Sequence, residues 1–293
     1  MNEREARAWA SRCTPEELAQ RGLDVLREET PLFDIEVASA CNARCPFCPR
    51  EAMTRPQTLM SEDTFAAVER FLPAGAEVMF AGLGEPLLNR RLPEFVERLK
   101  RRDISSCIIT NGALLSDERV VALLDAGLDQ VQLSLHALDP KLASELVPGV
   151  RVEAVIENLR RLVTLRPPGL RVQVNFVLGE RNVHEEAQVR ELAAGLGVDL
   201  FLRREHNRGG HLGAAEVPGG CGIFARVTFI TVHGVVTSCV NDVGCLSAIG
   251  PVDELGWEEV VAWKRTELSA GPGFPACRGC DDGYRWALLA RPS

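Results

Sequence analysis

Aromatic side chains are scarce, 5% of the chain with a single tyrosine, so the stacking platforms that hold single-stranded bases are poorly supplied. Basic residues are also in deficit: 33 Lys and Arg stand against 41 Asp and Glu, a net charge of −8. That is the wrong sign for gripping a phosphate backbone, and no nucleic-acid partner is expected. Long apolar runs are missing: no stretch approaches the ~20 residues of a membrane helix, and no membrane partner is expected either. The opening Met1-Asn2-Glu3-Arg4-Glu5-Ala6-Arg7 has mixed charge and no apolar h-region, which predicts no secretory signal and a cytoplasmic setting in which thiols stay reduced. The acidic balance suits a cationic small molecule better than a polyanion.

What is present in excess is cysteine. The ten lie at positions 13, 41, 45, 48, 107, 221, 239, 245, 277 and 280, and eight of them fall into two groups far apart in the chain. In a reducing compartment grouped cysteines point to metal or catalytic sites rather than to a disulfide framework.

The chain between the two groups alternates strand and helix. A helix-prone lead covers residues 1–31, and Leu32–Ala38 then reads as a strand, followed by strands at 77–81, 106–110, 130–134, 171–177 and 198–202. Amphipathic helices are predicted at 61–72, 90–102, 116–126, 152–166 and 184–196, with Ser61 and Ser116 as caps. Six units in residues 32–205 give roughly 29 residues each, the size of a βαβ repeat. A closed eightfold barrel needs ~250 residues, so the expected fold is α/β, an open partial (β/α)6 TIM-like barrel. Glycine-rich joins at 209–210 and 219–220 end the alternation, and residues 206–293 are expected to form a small α+β domain with a hairpin at 227–238 and a helix at 257–268.

In the first group, Cys41-Asn-Ala-Arg-Cys45-Pro-Phe-Cys48 places three thiols on a loop leaving the first strand. Three thiolates would leave one iron of a four-iron cluster open to a cofactor. A tetrahedral zinc site would want a fourth Cys or His nearby, and this loop holds none.

This spacing, with Phe47 before the third cysteine, resembles the radical S-adenosylmethionine (SAM) superfamily. The resemblance implies a [4Fe-4S] cluster on Cys41, Cys45 and Cys48, SAM as its fourth ligand, and a reducing electron donor such as flavodoxin or ferredoxin. Ala81-Gly82-Leu83-Gly84-Glu85-Pro86 is similar to the superfamily's Gly-Gly-Glu turn, with Leu83 in place of one glycine, and implies cofactor binding at Gly84 and Glu85. Ser134 resembles a position that contacts the SAM carboxylate or ribose, and Asn175 is a further candidate for the ribose; either serves equally as a strand-end cap. His136 is a candidate substrate contact or a structural histidine.

In the second group, Cys221 and Cys239 flank the predicted hairpin and Cys277-Arg-Gly-Cys280 completes a set of four, a pattern that zinc ribbons share. Beside a radical SAM barrel it resembles the twitch extension, a short form of the SPASM domain, which implies a second, auxiliary [4Fe-4S] cluster on Cys221, Cys239, Cys277 and Cys280. Cys245 is left over and is the candidate catalytic residue, a hydrogen-atom donor, with a ligand role or an inert buried thiol as the competing readings. Among twitch-bearing enzymes the chain resembles those of the neomycin C epimerase and 2-deoxy-scyllo-inosamine dehydrogenase types. This implies a cationic sugar substrate and, given Cys245, an epimerase in aminoglycoside antibiotic biosynthesis. Dehydrogenation of an aminocyclitol and a peptide-modifying maturase are the alternatives. Glu205, Asp242, Asp281 and Asp282 are the carboxylates expected to meet the substrate's ammonium groups, or else solvated surface charges.

Overall fold

The computed structural model describes residues 2–213, 215–271 and 273–290. Alternation of apolar and polar residues sets the barrel strands β1 (Leu32–Ile35), β2 (Glu77–Phe80), β3 (Ser105–Thr110), β4 (Gln130–Ser134), β5 (Arg171–Leu178) and β6 (Asp199–Arg204). In β1, Phe33 and Ile35 are fully buried under the helical layer, with the Phe33 ring 5.2 Å from Trp257 and 6.1 Å from Phe71. Asp34, between them, therefore points into the barrel. The same pleat buries Val131 and Leu133 of β4 and Val172, Val174 and Phe176 of β5, leaving Gln132, Ser134, Gln173 and Asn175 on the inner side.

All six strands run parallel in the order β6-β5-β4-β3-β2-β1, so the barrel is open, as its length requires. The predicted hairpin forms as β7 (Val227–Ile230) and β8 (Val235–Thr237), and a short β9 (Gly250–Pro251) follows. It does not make a sheet of its own. β7 lies parallel to β1, with Leu32 opposite Val227 and Ile35 opposite Ile230, and nine strands form one continuous sheet. The C-terminal segment thus extends the barrel at its first strand.

The helical lead is two helices, Glu3–Ala10 and Pro15–Glu28, each opened by a capping box at Asn2 and Thr14. They pack against C-terminal residues: Ala6, Ala10 and Leu18 form one buried cluster with Trp286 and Leu289. Ser61 caps its helix through the Thr64 amide at 3.1 Å. Ser116 sits at the N-cap position, yet its hydroxyl makes no capping bond. The helix Pro140–Leu146, capped by Asp139, is an addition to the predicted set. Among the described residues no helix is long and apolar enough to cross a membrane.

Candidate active site

The C-terminal strand ends surround a cavity of about 320 Å³. The three-cysteine loop lines one side, with Cys41, Cys45, Phe47 and Cys48 all on the wall. The loop is held from behind by Arg50, 8% exposed, which donates to the Ala43 carbonyl at 2.7 Å and to Gln57 at 2.9 Å. The Phe47 ring stands edge-on to His136 at 5.0 Å, and Arg208 donates to the Phe47 carbonyl at 3.1 Å. Burial and the neighbouring thiols push Cys45 up to about 12 and raise Cys41. Three thiols on one short loop, with a buried guanidinium behind it, form a donor set whose chemistry fits an iron–sulfur cluster.

The turn Gly82–Glu85 faces that loop. Gly82 takes φ +147°, and a Cβ on Gly84 would strike the Ala38 and Ala40 carbonyl oxygens, the second at 2.5 Å. Glycine is needed here because the turn lies directly on the segment entering Cys41; the Glu85 amide donates to the Ala40 carbonyl at 2.9 Å. The Glu85 carboxylate, 2% exposed, accepts from the Leu87 amide at 3.0 Å, the Thr110 hydroxyl at 2.7 Å and the Asn111 amide at 2.8 Å. Burial raises its pKa against these three donors. The expected role of Glu85 in cofactor binding is thus confined to its backbone, its side chain serving to tie β2 to β3. Glu36, fully buried and absent from the sequence candidates, holds the same turn: it accepts from the Leu83 amide at 3.1 Å and the Val232 amide at 3.2 Å and pairs with Arg55 at 2.5 Å.

Ser134 lines the cavity. Asn175 lines it too, its amide donating one hydrogen bond to Gln132 at 2.9 Å and accepting one from Gln173 at 2.6 Å, which leaves a second N–H and a second lone pair unused. His136 accepts from the Val177 amide at 3.3 Å, and burial with the charge of Arg208 lowers it to about 4, so it is a neutral packing partner for Phe47.

The inner face carries two further charged residues that sequence reasoning passed over, Asp34 and Arg203. Burial raises Asp34 to about 7, opposed only by Arg203. Its Oδ1 atom has no hydrogen-bond partner. Arg203 makes a close ion pair with Asp282, while its buried Nε has no hydrogen-bond partner. The available signal was a carboxylate flanked by two strongly apolar neighbours in a strand, which the pleat must aim inward.

Cys221, Cys239, Cys277 and Cys280 act on one another electrostatically, which with burial raises Cys239, Cys277 and Cys280. Among the described residues no three His, Cys, Asp or Glu side chains are drawn together as a cage for a single ion. Two buried cations stand among these thiols. Arg285, 2% exposed, donates to the carbonyls of Gly220 at 2.7 Å, Cys277 at 3.1 Å and Cys280 at 2.9 Å. Burial would lower it, yet Cys221, Cys280 and Cys277 hold it above its usual value. Lys264, 1% exposed, donates to the Val227 carbonyl at 2.8 Å, and burial lowers it to about 7. Four cysteines with the Arg285 guanidinium held among their backbone carbonyls fit a group of net negative charge.

Cys245 does not line the cavity. From this loop the wall takes Val240 and Asn241, while Cys245, at φ +53°, faces Arg55, Asp242 and Glu36. Of the acidic residues expected to meet an ammonium group, Asp242 is spent on Thr237, Leu246 and Ser247, Asp282 on Arg203 and Asp281 on the Asn207 amide at 2.7 Å. None of these, nor Glu205, lines the cavity.

The Radical SAM superfamily model matches residues 35–193. A probable GTP 3′,8-cyclase of Sulfolobus acidocaldarius is 32% identical over 180 residues, 60% of this chain and 56% of its own. A PqqA peptide cyclase of Streptomyces rochei is 33% identical over 167 residues, 56% of this chain and 45% of its own. The chain therefore spans about half the length of these curated relatives. In structure it is similar to BtrN in complex with AdoMet and 2-DOIA, with a TM-score of 0.60 at 19% identity, covering 86% of this chain and 93% of that one, which shows a shared fold. None of these matches is an epimerase, and the relatives in sequence are cyclases. A match over more than half of the chain, on the barrel that carries the three-cysteine loop, shows that this chain belongs to the radical SAM superfamily.

Proposed function

We propose that the chain abstracts a hydrogen atom from a small, amine-bearing sugar or cyclitol, and that residues 206–293 act as a twitch-like unit beside the barrel of residues 32–205 and the lead of residues 1–31. The observation that carries this reading is the composition of the cavity wall: the three-cysteine loop and the Gly82–Glu85 turn on one side, and on the other Val240 and Asn241, which directly follow Cys239 of the second group. Cys41, Cys45 and Cys48 would hold a SAM-ligating [4Fe-4S] cluster which, with SAM bound, supplies a carbon-centred radical able to remove a hydrogen atom. Cys221, Cys239, Cys277 and Cys280 would hold an auxiliary cluster that supplies a one-electron donor or acceptor.

The chain's own residues orient the reaction. Gly84 lets the turn lie against the cluster loop, Ser134 contributes a hydroxyl at another strand end, and Phe47 packs edge-on against His136. Two fates of a substrate radical follow from the position of Cys245. With its thiol off the wall, the geometry supports oxidation of an alcohol with Cys245 idle. Inversion of a carbon, the epimerase reading, is favoured by a different observation: burial raises Cys245 and keeps its hydrogen on sulfur, a few residues from Val240 and Asn241. It requires this loop to turn the thiol inward when substrate binds.

Anaerobically reconstituted protein, SAM, reductant and either an aminocyclitol or an aminoglycoside, incubated in deuterated water, decide between them. Oxidation gives a product two hydrogens lighter in wild type and Cys245→Ala alike. Inversion gives an isomeric product one mass unit heavier, carrying one carbon-bound deuterium, and lost in the variant. If peptides alone stimulate SAM cleavage, the small-molecule reading is wrong.

A further inference from the structure

We infer that Asp34 receives the ammonium group of the substrate and is the residue by which this cavity selects an amine over the corresponding hydroxyl. The inference rests on the small-molecule reading above and deepens it by assigning the contact. Asp34 sits at the inward position of β1, between Phe33 and Ile35, both fully buried on the outer side, and it lines the cavity. Its backbone is fixed on both edges by parallel ladders to Met79 and Phe229, so the side chain cannot turn away.

The carboxylate has no structural employment to explain its presence. Oδ1 is buried without a hydrogen-bond partner. The guanidinium that faces it, Arg203 of β6, is held by Asp282. The other titratable group facing it is the Cys107 thiol of β3, which supplies no positive charge. The remaining lining carboxylate, Glu85, is saturated by three donors of its own chain. A buried carboxylate without a partner is costly, and an arriving ammonium would provide both the missing counter-charge and its donors. A hydroxyl in the same place provides a donor but no charge, so the two ligands are discriminated by the charged contact.

The facing groups also fix a pH signature. In the free protein Asp34 titrates near pH 7, so an amine gains affinity as pH rises from 6 to 8 and the carboxylate ionises, whereas an uncharged ligand does not. Arg203 stays charged over this interval and Cys107, pushed by burial to about 12, stays neutral.

The test uses the full reconstituted chain with SAM under anaerobic conditions. Calorimetric titration with 2-deoxystreptamine and with scyllo-inositol compares wild type, Asp34→Asn and Asp34→Ser. Wild type is expected to bind the diamine at least tenfold more tightly than the inositol, with the preference growing from pH 6 to 8. Both variants are expected to lose about tenfold for the diamine, to lose the pH dependence, and to hold the inositol unchanged. Equal diamine binding by wild type and the variants overturns the inference, as does an equal loss for both probes, which would mark a structural role. If the diamine stimulates SAM cleavage equally in wild type and the variants, the small-molecule reading stands and the assignment of Asp34 alone falls. If neither probe binds wild type or stimulates SAM cleavage, the reading and the inference fall together.

Discussion

Replacing Gly84 by alanine tests whether the cofactor turn and the cluster loop are one mechanical unit. The added Cβ would stand 2.5 Å from the Ala40 carbonyl oxygen, with the Ala38 carbonyl pressing from the same side. Contacts under 3.0 Å are essentially never found, so turn and loop must separate by at least 0.5 Å, and both neighbours are backbone. Overpacking of this kind costs about 1–3 kcal/mol, and the strained bond from the Glu85 amide to the Ala40 carbonyl adds about 1 kcal/mol. The displacement reaches Cys41 through its immediate neighbour, and misplacement of reacting groups by ~1 Å lowers rates by ~10²-fold. Gly84→Ala should therefore melt earlier by an amount matching about 2–4 kcal/mol and cleave SAM ten- to a hundredfold more slowly, at full iron content. Gly195→Ala, in the helix Glu186–Leu196 with nothing near its Cβ, should instead gain about 0.5–1 kcal/mol and cleave SAM normally. A Gly84→Ala protein with wild-type melting and cleavage would refute the coupling.

Glu36→Gln leaves the Arg55 guanidinium without its buried counter-charge and should lower stability by about 3–5 kcal/mol in denaturant titration; a change under 1 kcal/mol would show that the pair is not needed. Asp34, raised from 3.8 to about 7, favours its protonated form in the folded chain, so its contribution to stability is full below pH 4 and is lost as pH climbs to 7. Asp34→Asn should accordingly be the more stable protein at pH 8, by up to about 4 kcal/mol, with the difference shrinking toward pH 4; an unchanged difference across that range would argue against a buried carboxylate. Cys277→Ser should halve the iron of reconstituted protein from about eight to about four atoms per chain while the Cys41 loop still cleaves SAM. Wild-type protein with only about four iron atoms would remove the auxiliary cluster.

The barrel was legible because each strand alternates and each helix is periodic: Phe33 and Ile35 against Asp34 in β1 announce both the strand and its inner face. The three-cysteine loop was legible because its ligands are local in sequence. What stayed hidden depends on contacts that no spacing encodes. The pairing of β7 with β1 joins residues about two hundred apart, and nothing in Val227–Ile230 names its neighbour. That the Glu85 carboxylate is occupied by Thr110, Leu87 and Asn111 could not be read from its motif. Asp282 reads as a partner for a substrate ammonium group, or as a solvated charge, until Arg203 is found beside it. Cys245 reads as a hydrogen-atom donor, a ligand or an inert thiol, and no spacing shows that Val240 and Asn241, rather than Cys245, line the cavity.

The ladder between β1 and β7 makes the C-terminal segment part of the barrel sheet, continuous with the strands around the cavity. Grafting that segment from one such enzyme onto another would succeed only if the incoming strand kept its alignment with Leu32–Ile35. A slip of one residue would turn Phe229 and Thr228 to opposite faces and carry Cys239 out of position along with them. Recombination between relatives at the junction near residue 206 is thus constrained by a register set almost two hundred residues earlier, and chimeras should be designed around that alignment.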